Sequence, residues 1–102
     1  MGQIFNIIVS EDADEDLVRI TSTFLENSAT KFSEMIFSKY ENIGIMPKMY
    51  QRIYYEKNTH TDYRRVVCKK YIIIYKIQKN QITILRILSE KEDYLKSKYL
   101  KP

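Results

Sequence analysis

Basic and aromatic side chains carry the chemistry available to this sequence. Arg64 and Arg65 stand side by side, Arg86 interrupts an apolar run, Lys91 follows it, and tyrosines recur at Tyr54, Tyr55 and Tyr94. Guanidinium and ammonium groups bind carboxylates and phosphates, arginine through a planar fork. Tyrosine combines apolar area with a hydroxyl and is enriched at interfaces. Together they point to recognition of a polyanion or an acidic protein. Arg64 and Arg65, adjacent on a strand, must point to opposite faces. At least one is expected to be structural, and Arg65 has Asp12 and Asp16 as candidate acidic partners. Arg86 is expected on the face shared by Ile82, Ile84 and Leu88. There it must find a partner or reach solvent, and an internal salt bridge and a partner contact are both open to it.

Other chemistries are poorly represented. His60 is the single histidine and lies in a polar stretch. Without an Asp, Ser or Cys constellation it is a weak catalytic candidate. Cys68 is flanked by Lys69 and Lys70, which could lower its pKa; a small turn residue with no special role is the simpler reading. No metal-ligand spacing, glycine-rich phosphate loop or hydrolase triad is present, so neither a metal nor a cofactor is expected. Tyr71 and Tyr75 are expected at the core or its edge.

Charge divides the chain. Residues 1–44 carry 3 basic and 8 acidic side chains, and residues 45–102 carry 14 basic and 5 acidic, for the overall +4. The basic half suits an acidic partner, although a solvated basic face gives the same pattern. With 102 residues, 44% hydrophobic and 29% charged, the expectation is one globular domain over residues 1–102. No apolar run approaches the roughly 18 residues of a membrane helix. The N-terminus lacks signal-peptide character and the lone cysteine forms no internal disulfide, so a cytoplasmic location is expected.

The elements that must position these residues follow from periodicity. Phe5 to Val9 reads as a strand, and Ser10 as an N-cap ahead of Glu11, Asp12 and Asp14. Ala13, Leu17, Ile20 and Phe24 form a helical stripe, with Asn27 ending that helix and Ser28 capping the next. Phe32, Ile36, Tyr40 and Ile43 are the inward face of the second helix, closed by Gly44 in a left-handed cap and by Pro47. The two helices form an antiparallel hairpin. Tyr50 to Tyr55 is a short strand or extended segment, and Glu56 to Asp62 a polar loop. The runs YRRVV, YIIIYKI and QITILRIL form an antiparallel meander with turns at Cys68–Lys70 and Gln78–Asn80. YIIIY is apolar on both faces, so it is expected to be central, with Ile73 and Ile74 buried on opposite sides. Ser89 and Glu92 have capping-box spacing, opening a short helix through about Lys98. The class is α+β: an N-terminal strand, a helix hairpin on a three- to four-stranded mainly antiparallel sheet, and a short C-terminal helix.

This order of elements, with FNIIVSEDADEDLVRI, Met46-Pro47, YRRVV-CKK-YIIIYKI and ITILRIL followed by Asp93, resembles the RelE/ParE superfamily of bacterial type II toxins. The resemblance covers most of the chain and implies a small cytoplasmic toxin, of a kind tied to plasmid stabilisation. It also implies a cognate antitoxin that neutralises the toxin in a hetero-oligomer. RelE-like members cut messenger RNA on the ribosome, and the resemblance places their catalytic arginine at Ile72. A second basic residue of theirs falls at Glu92, beside Lys91, and a tyrosine a few positions beyond Tyr94. The pattern is closer to the ParE-like branch, whose members bind and inhibit DNA gyrase. The resemblance thus implies an inhibitor rather than an enzyme, contacting its target or antitoxin through Tyr54, Tyr55, Arg64, Arg65, Arg86, Lys91 and Tyr94. A RelE-like endoribonuclease using Arg65, Lys91 and Tyr94 is the alternative, and a non-toxic antitoxin-binding protein of this fold is the second.

Overall fold

The structure, a computed structural model, describes residues 5–55 and 58–92, with the side chains of Tyr55, Asn58 and Thr59 left aside. The chain opens with strand β1 (Asn6–Val9) and passes directly into helix α1 (Glu11–Thr21). Ser10 makes the transition as expected: its side chain accepts the Ala13 N–H at 3.0 Å, and Glu11, Asp12 and Asp14 fill the first turn. Ala13, Leu17 and Ile20 are buried.

The first helix ends earlier than its apolar stripe suggests. Thr21, Ser22 and Thr23 donate their hydroxyls to the carbonyls of Leu17, Arg19 and Ile20 at 2.7–3.0 Å. The Ser22 and Thr23 hydroxyls thereby satisfy carbonyls that a continuing helix would have paired. Helix α2 (Glu26–Ile45) then starts at Leu25, so Asn27 and Ser28 lie in its first turn rather than at a boundary. Phe24 falls in the connection, edge-on to Phe32 at 5.5 Å.

Gly44 is a second correction. It lies inside α2 with no positive φ, so it is not a left-handed cap. Its use is close approach, because a Cβ there would stand 2.7 Å from Ile7 Cδ1 on β1. Pro47 ends α2 as expected and opens a short 3-10 turn, Pro47–Met49.

The remaining strands are β2 (Gln51–Tyr55), β3 (Asn58–Cys68), β4 (Tyr71–Gln78) and β5 (Gln81–Ser89). With β1 they form one five-stranded sheet in the order β1-β5-β4-β3-β2, larger than the expected three or four strands. All pairs are antiparallel except β1 with β5. The stretch Asn58–Asp62 belongs to β3 and is not loop, since the ladders Tyr55↔Asn58 and Asp62↔Ile77 extend the strand through polar residues. Pairing overrides residue preference here. Lys69 and Lys79 adopt positive φ (60° and 55°) in the two tight turns of the meander.

β4 is central and buried on both faces. Ile73, Tyr75 and Ile77 pack with the helices, while Ile72 and Ile74 join Ile53, Tyr63 and Leu88 on the far side. Ile73 and Ile74 are both fully buried. A register shift opposite Ile74–Tyr75, at Leu85, breaks the alternation of β5. Ile82, Ile84 and Ile87 therefore face the helices, whereas Leu85 and Leu88 face away. The expected helix from Ser89 to about Lys98 lies mostly outside the described residues; Glu90 and Lys91 form a turn.

Candidate partner-binding surface

The arginines separate into tied and presented groups. Asp16 is 3% exposed on α1 and is the hub of the tied set. Its carboxylate accepts from Arg86 Nε and Nη2 at 2.7 and 2.9 Å, from the Ile87 N–H at 2.9 Å and from Arg19 Nη2 at 2.8 Å. The geometry has a simple cause. β1 pairs with β5 only through Ile84, leaving the remaining edge of β5 without a strand on that side. α1 takes over there: Ser10 Oγ donates to the Leu85 carbonyl and Asp16 accepts the Ile87 N–H. Burial alone would raise the Asp16 carboxyl pKa. The hydrogen bonds from Arg86, the Ile87 N–H and Arg19 outweigh it and hold the carboxyl below its ordinary range.

Of the two possibilities for Arg86, the internal salt bridge is the one formed. Its register position is opposite Ile74 on the far face, with Leu88 as expected but not with Ile82 and Ile84, because the shift at Leu85 intervenes. Asp16 pairs with Arg86 and Arg19, while Arg65 donates to Gln51 Oε1 at 2.8 and 3.2 Å instead of reaching α1. The sequence did contain a signal for Asp16: an acid one helical turn from Ala13 and Ile20, within the apolar stripe, must be matched by a donor.

Arg64 and Arg65 do point to opposite faces. Arg64 sits across from Tyr75 on the helix side. It grips Asp62 through Nε at 2.9 Å and donates Nη1 to the carbonyls of Lys48 and Tyr50. The Tyr75 hydroxyl donates to the Pro47 carbonyl. Arg64 and Tyr75 thus bind the 3-10 turn to the sheet. Burial pushes the Tyr75 phenol far above its ordinary pKa, which keeps the donating proton in place.

On the far face the register aligns Gln51, Arg65, Ile74 and Arg86 in one row across four strands. Ile72 is 3% exposed beside this row, inside the apolar cluster. β2 is an edge strand. It presents Tyr54, 80% exposed, with the Arg52 guanidinium 5.3 Å above its ring, and Arg52 pairs with Arg64, so this unit lies on the Arg64 side of the sheet. Such stacking is worth about 0.5–1 kcal/mol at an exposed site and favours presenting the two groups together. Strand alternation already puts Arg52 on one face with Tyr54, whereas only the fold brings it to Asp62. Lys91 is exposed in the turn after β5. The Tyr55 side chain and Tyr94 lie outside the described residues. His60 is exposed on β3. Cys68 is buried, and burial raises its thiol pKa despite the opposing pull of Lys39 and Lys69. Lysine neighbours therefore do not make it reactive.

Among the described residues no cluster of His, Cys, Asp and Glu is arranged to hold a metal, and no helix is long and apolar enough to cross a membrane. The Arg65 row can make charge-assisted contacts, and the β2 edge charge-assisted and aromatic ones, to an acidic protein.

Comparison with known proteins gives a consistent picture. Residues 7–94 match the family described as the ParE toxin of type II toxin–antitoxin system, parDE. No curated protein matches the chain. Among solved structures it is similar to a chromosomal ParDE toxin–antitoxin system from Pseudomonas aeruginosa (TM-score 0.66, 14% identity, 84% of this chain and 96% of that one). It is also similar to the archaeal RelE–RelB complex from Pyrococcus horikoshii (0.61, 12%, 89% and 100%). A third likeness is to the RelBE2 toxin–antitoxin complex from Mycobacterium tuberculosis (0.57, 17%, 85% and 99%). At these identities the likeness is one of fold.

Proposed function

We propose a function on one premise: the chain belongs to the family of ParE toxins of type II toxin–antitoxin systems. In our reading it is the toxin of such a pair, binds and inhibits DNA gyrase, and is neutralised by a cognate antitoxin in a hetero-oligomer. The observation that carries the choice of target is the burial of Ile72. Cleaving RNA through its 2′-hydroxyl needs a base and cations around the charged phosphate. Resemblance to the ribonuclease branch would put an arginine at Ile72, and this side chain is instead sealed in an apolar cluster. Arg86, in the neighbouring row, is paired with Asp16. Both features favour binding over phosphoryl chemistry.

The test sets two assays side by side. Purified chain is added to gyrase supercoiling reactions and to ribosomes programmed with messenger RNA. Inhibited supercoiling with intact messenger is expected, and substitution of Lys91 or Tyr94 by Ala should relieve the inhibition without unfolding the chain. A ribosomal A-site cleavage product that disappears with Tyr94→Phe would overturn the reading and move the chain to the ribonuclease branch, with Arg65 and Lys91 as phosphate-stabilising groups.

A further inference from the structure

The far face of the sheet is shielded unevenly. Val67 and Ile72 are register partners on that face, yet Val67 is 53% exposed and Ile72 is 3% exposed. Ile74, Tyr63 and Leu88 are at most 1% exposed, while Ile8, on the same face at the β1 margin, is 48% exposed. Strand neighbours shield one another only sideways, because side chains stand upright on a sheet. A bare face therefore cannot seal its centre and leave its margins open. Among the described residues neither helix contributes to this cluster; both pack on the opposite face. Arg65 and Arg86 are drawn away to Gln51 and Asp16 at its two sides. The sealed patch runs diagonally from Leu88 on β5 to Ile53 on β2.

We propose that residues 93–102 fold back across this face and bury Ile72, Ile74 and Leu88 beneath their own apolar side chains. Three stretches lie outside the described residues: 1–4, 56–57 and 93–102. Residues 1–4 precede β1, beside which Ile8 stays open. Residues 56–57 sit at the tip of the β2–β3 hairpin, at the opposite end of β3 from the Val67↔Ile72 pair. Residues 93–102 follow the turn after β5, and that turn is anchored beside the patch, where the Glu90 N–H donates to the Lys70 carbonyl at 2.9 Å. Ten residues reach about 33 Å when extended, and the patch is three strand spacings wide, about 14 Å. The stretch, DYLKSKYLKP, holds Tyr94, Leu95, Tyr99 and Leu100 to set against the patch. Its three lysines meet the like charges of Arg65, Lys76 and Arg86 on this face and turn to solvent. The chain thus closes its own sheet over Ile72, whether the cellular target is gyrase or the ribosome.

Nuclear Overhauser contacts in the full, isotope-labelled chain test it. Methyl protons of Ile72, Ile74 and Leu88 should show contacts to Leu95, Tyr99 and Leu100. A mixture of labelled and unlabelled chains, filtered for contacts between molecules, should show none of these. Leu95→Asp and Leu100→Asp should open the patch and raise the fluorescence of added anilinonaphthalene sulfonate several-fold, since that dye reports exposed apolar surface. Val67→Ser, outside the sealed patch, should leave the dye signal unchanged. A native amide spectrum identifies variants that remain folded, and the wild-type contacts decide the question where a variant unfolds. Contacts from the three side chains to residues 1–4, contacts found only between molecules, or no contact to residues 93–102 would each overturn the proposal. Unchanged dye binding in the folded Asp variants would do the same.

Discussion

Asp16 shows how one residue can tie a helix to a sheet. Its carboxylate serves Arg86, Arg19 and a backbone N–H at once, with almost no exposure to water. Removing one member of a buried pair strands the other, which typically costs 3–5 kcal/mol. Asp16→Ala is expected at the low end, roughly 3 kcal/mol, because Arg86 is partly exposed and can turn to solvent; chemical denaturation measures it. A pH dependence follows. The native carboxyl pKa is depressed, so the folded state holds the anion more tightly than the unfolded chain. That stability is fully present above the unfolded carboxylate pKa of about 3.9 and is lost as pH falls through the lower native value. Asp16→Asn, which keeps an acceptor for the Ile87 N–H, should flatten the acid limb of the stability curve. An identical acid limb in variant and wild type would rule this account out. Arg86 itself was visible in the sequence as a cation needing a partner, but its partner lies 70 residues away. Only the fold could choose between an internal and an external one.

At the scale of elements, β4 is the mechanical centre. Ile73 and Ile74 are fully buried in separate clusters on its two faces. Each truncation to Ala removes buried methylenes and leaves a cavity, so each should cost roughly 2–5 kcal/mol. An unshifted melting temperature at either site would show that face to be weakly packed. The contact of α2 with β1 depends on Gly44, whose missing side chain admits Ile7. Gly44→Ala gains helix propensity of about 1 kcal/mol and displaces only the mobile end of Ile7. The two effects should nearly cancel. Gly44→Leu should destabilise markedly, since it must push α2 off the strand. If thermal denaturation shows Leu tolerated as well as Ala, close approach is not the reason for glycine there. The strand and helix faces were legible from periodicity because burial repeats every second or every 3.6 residues. The helix boundary near Thr21 and the strand character of Asn58–Asp62 were not, because hydroxyl capping and ladder pairing decided them locally against the apolar pattern.

Across the whole molecule, charge sorts by layer. The acidic first half folds into the helices, where Glu11, Asp12, Asp14 and Glu15 are exposed on α1. The basic second half folds into the sheet, where Lys69, Lys70 and Lys79 are exposed at the turns. A dipolar surface of this kind steers an acidic partner to the basic side. Association with the antitoxin should therefore slow several-fold as ionic strength rises from about 0.05 to about 0.5 M, with a smaller change in dissociation. An association rate indifferent to salt, measured by stopped-flow, would remove electrostatics from the encounter.

The sequence by itself determined the element order, the α+β class, the central double-faced strand and the family likeness. Each of these is written in local periodicity, turn residues and the spacing of short motifs, which survive without knowledge of distant contacts. The tertiary structure alone decided which arginines are spent on holding the fold. Adjacent Arg64 and Arg65 diverge because strand alternation sends one to the 3-10 turn and the other to the far face. Arg86 is claimed by Asp16 because β1 is too short to cover the β5 edge, and a helix carboxylate fills that place. An apolar groove floored by Phe32 and Tyr71 likewise exists only once Lys31 on α2 and Lys69 and Lys70 on the β3–β4 turn are brought together around it. Sequence records the charges, but the distances that set their partners come from closing the chain.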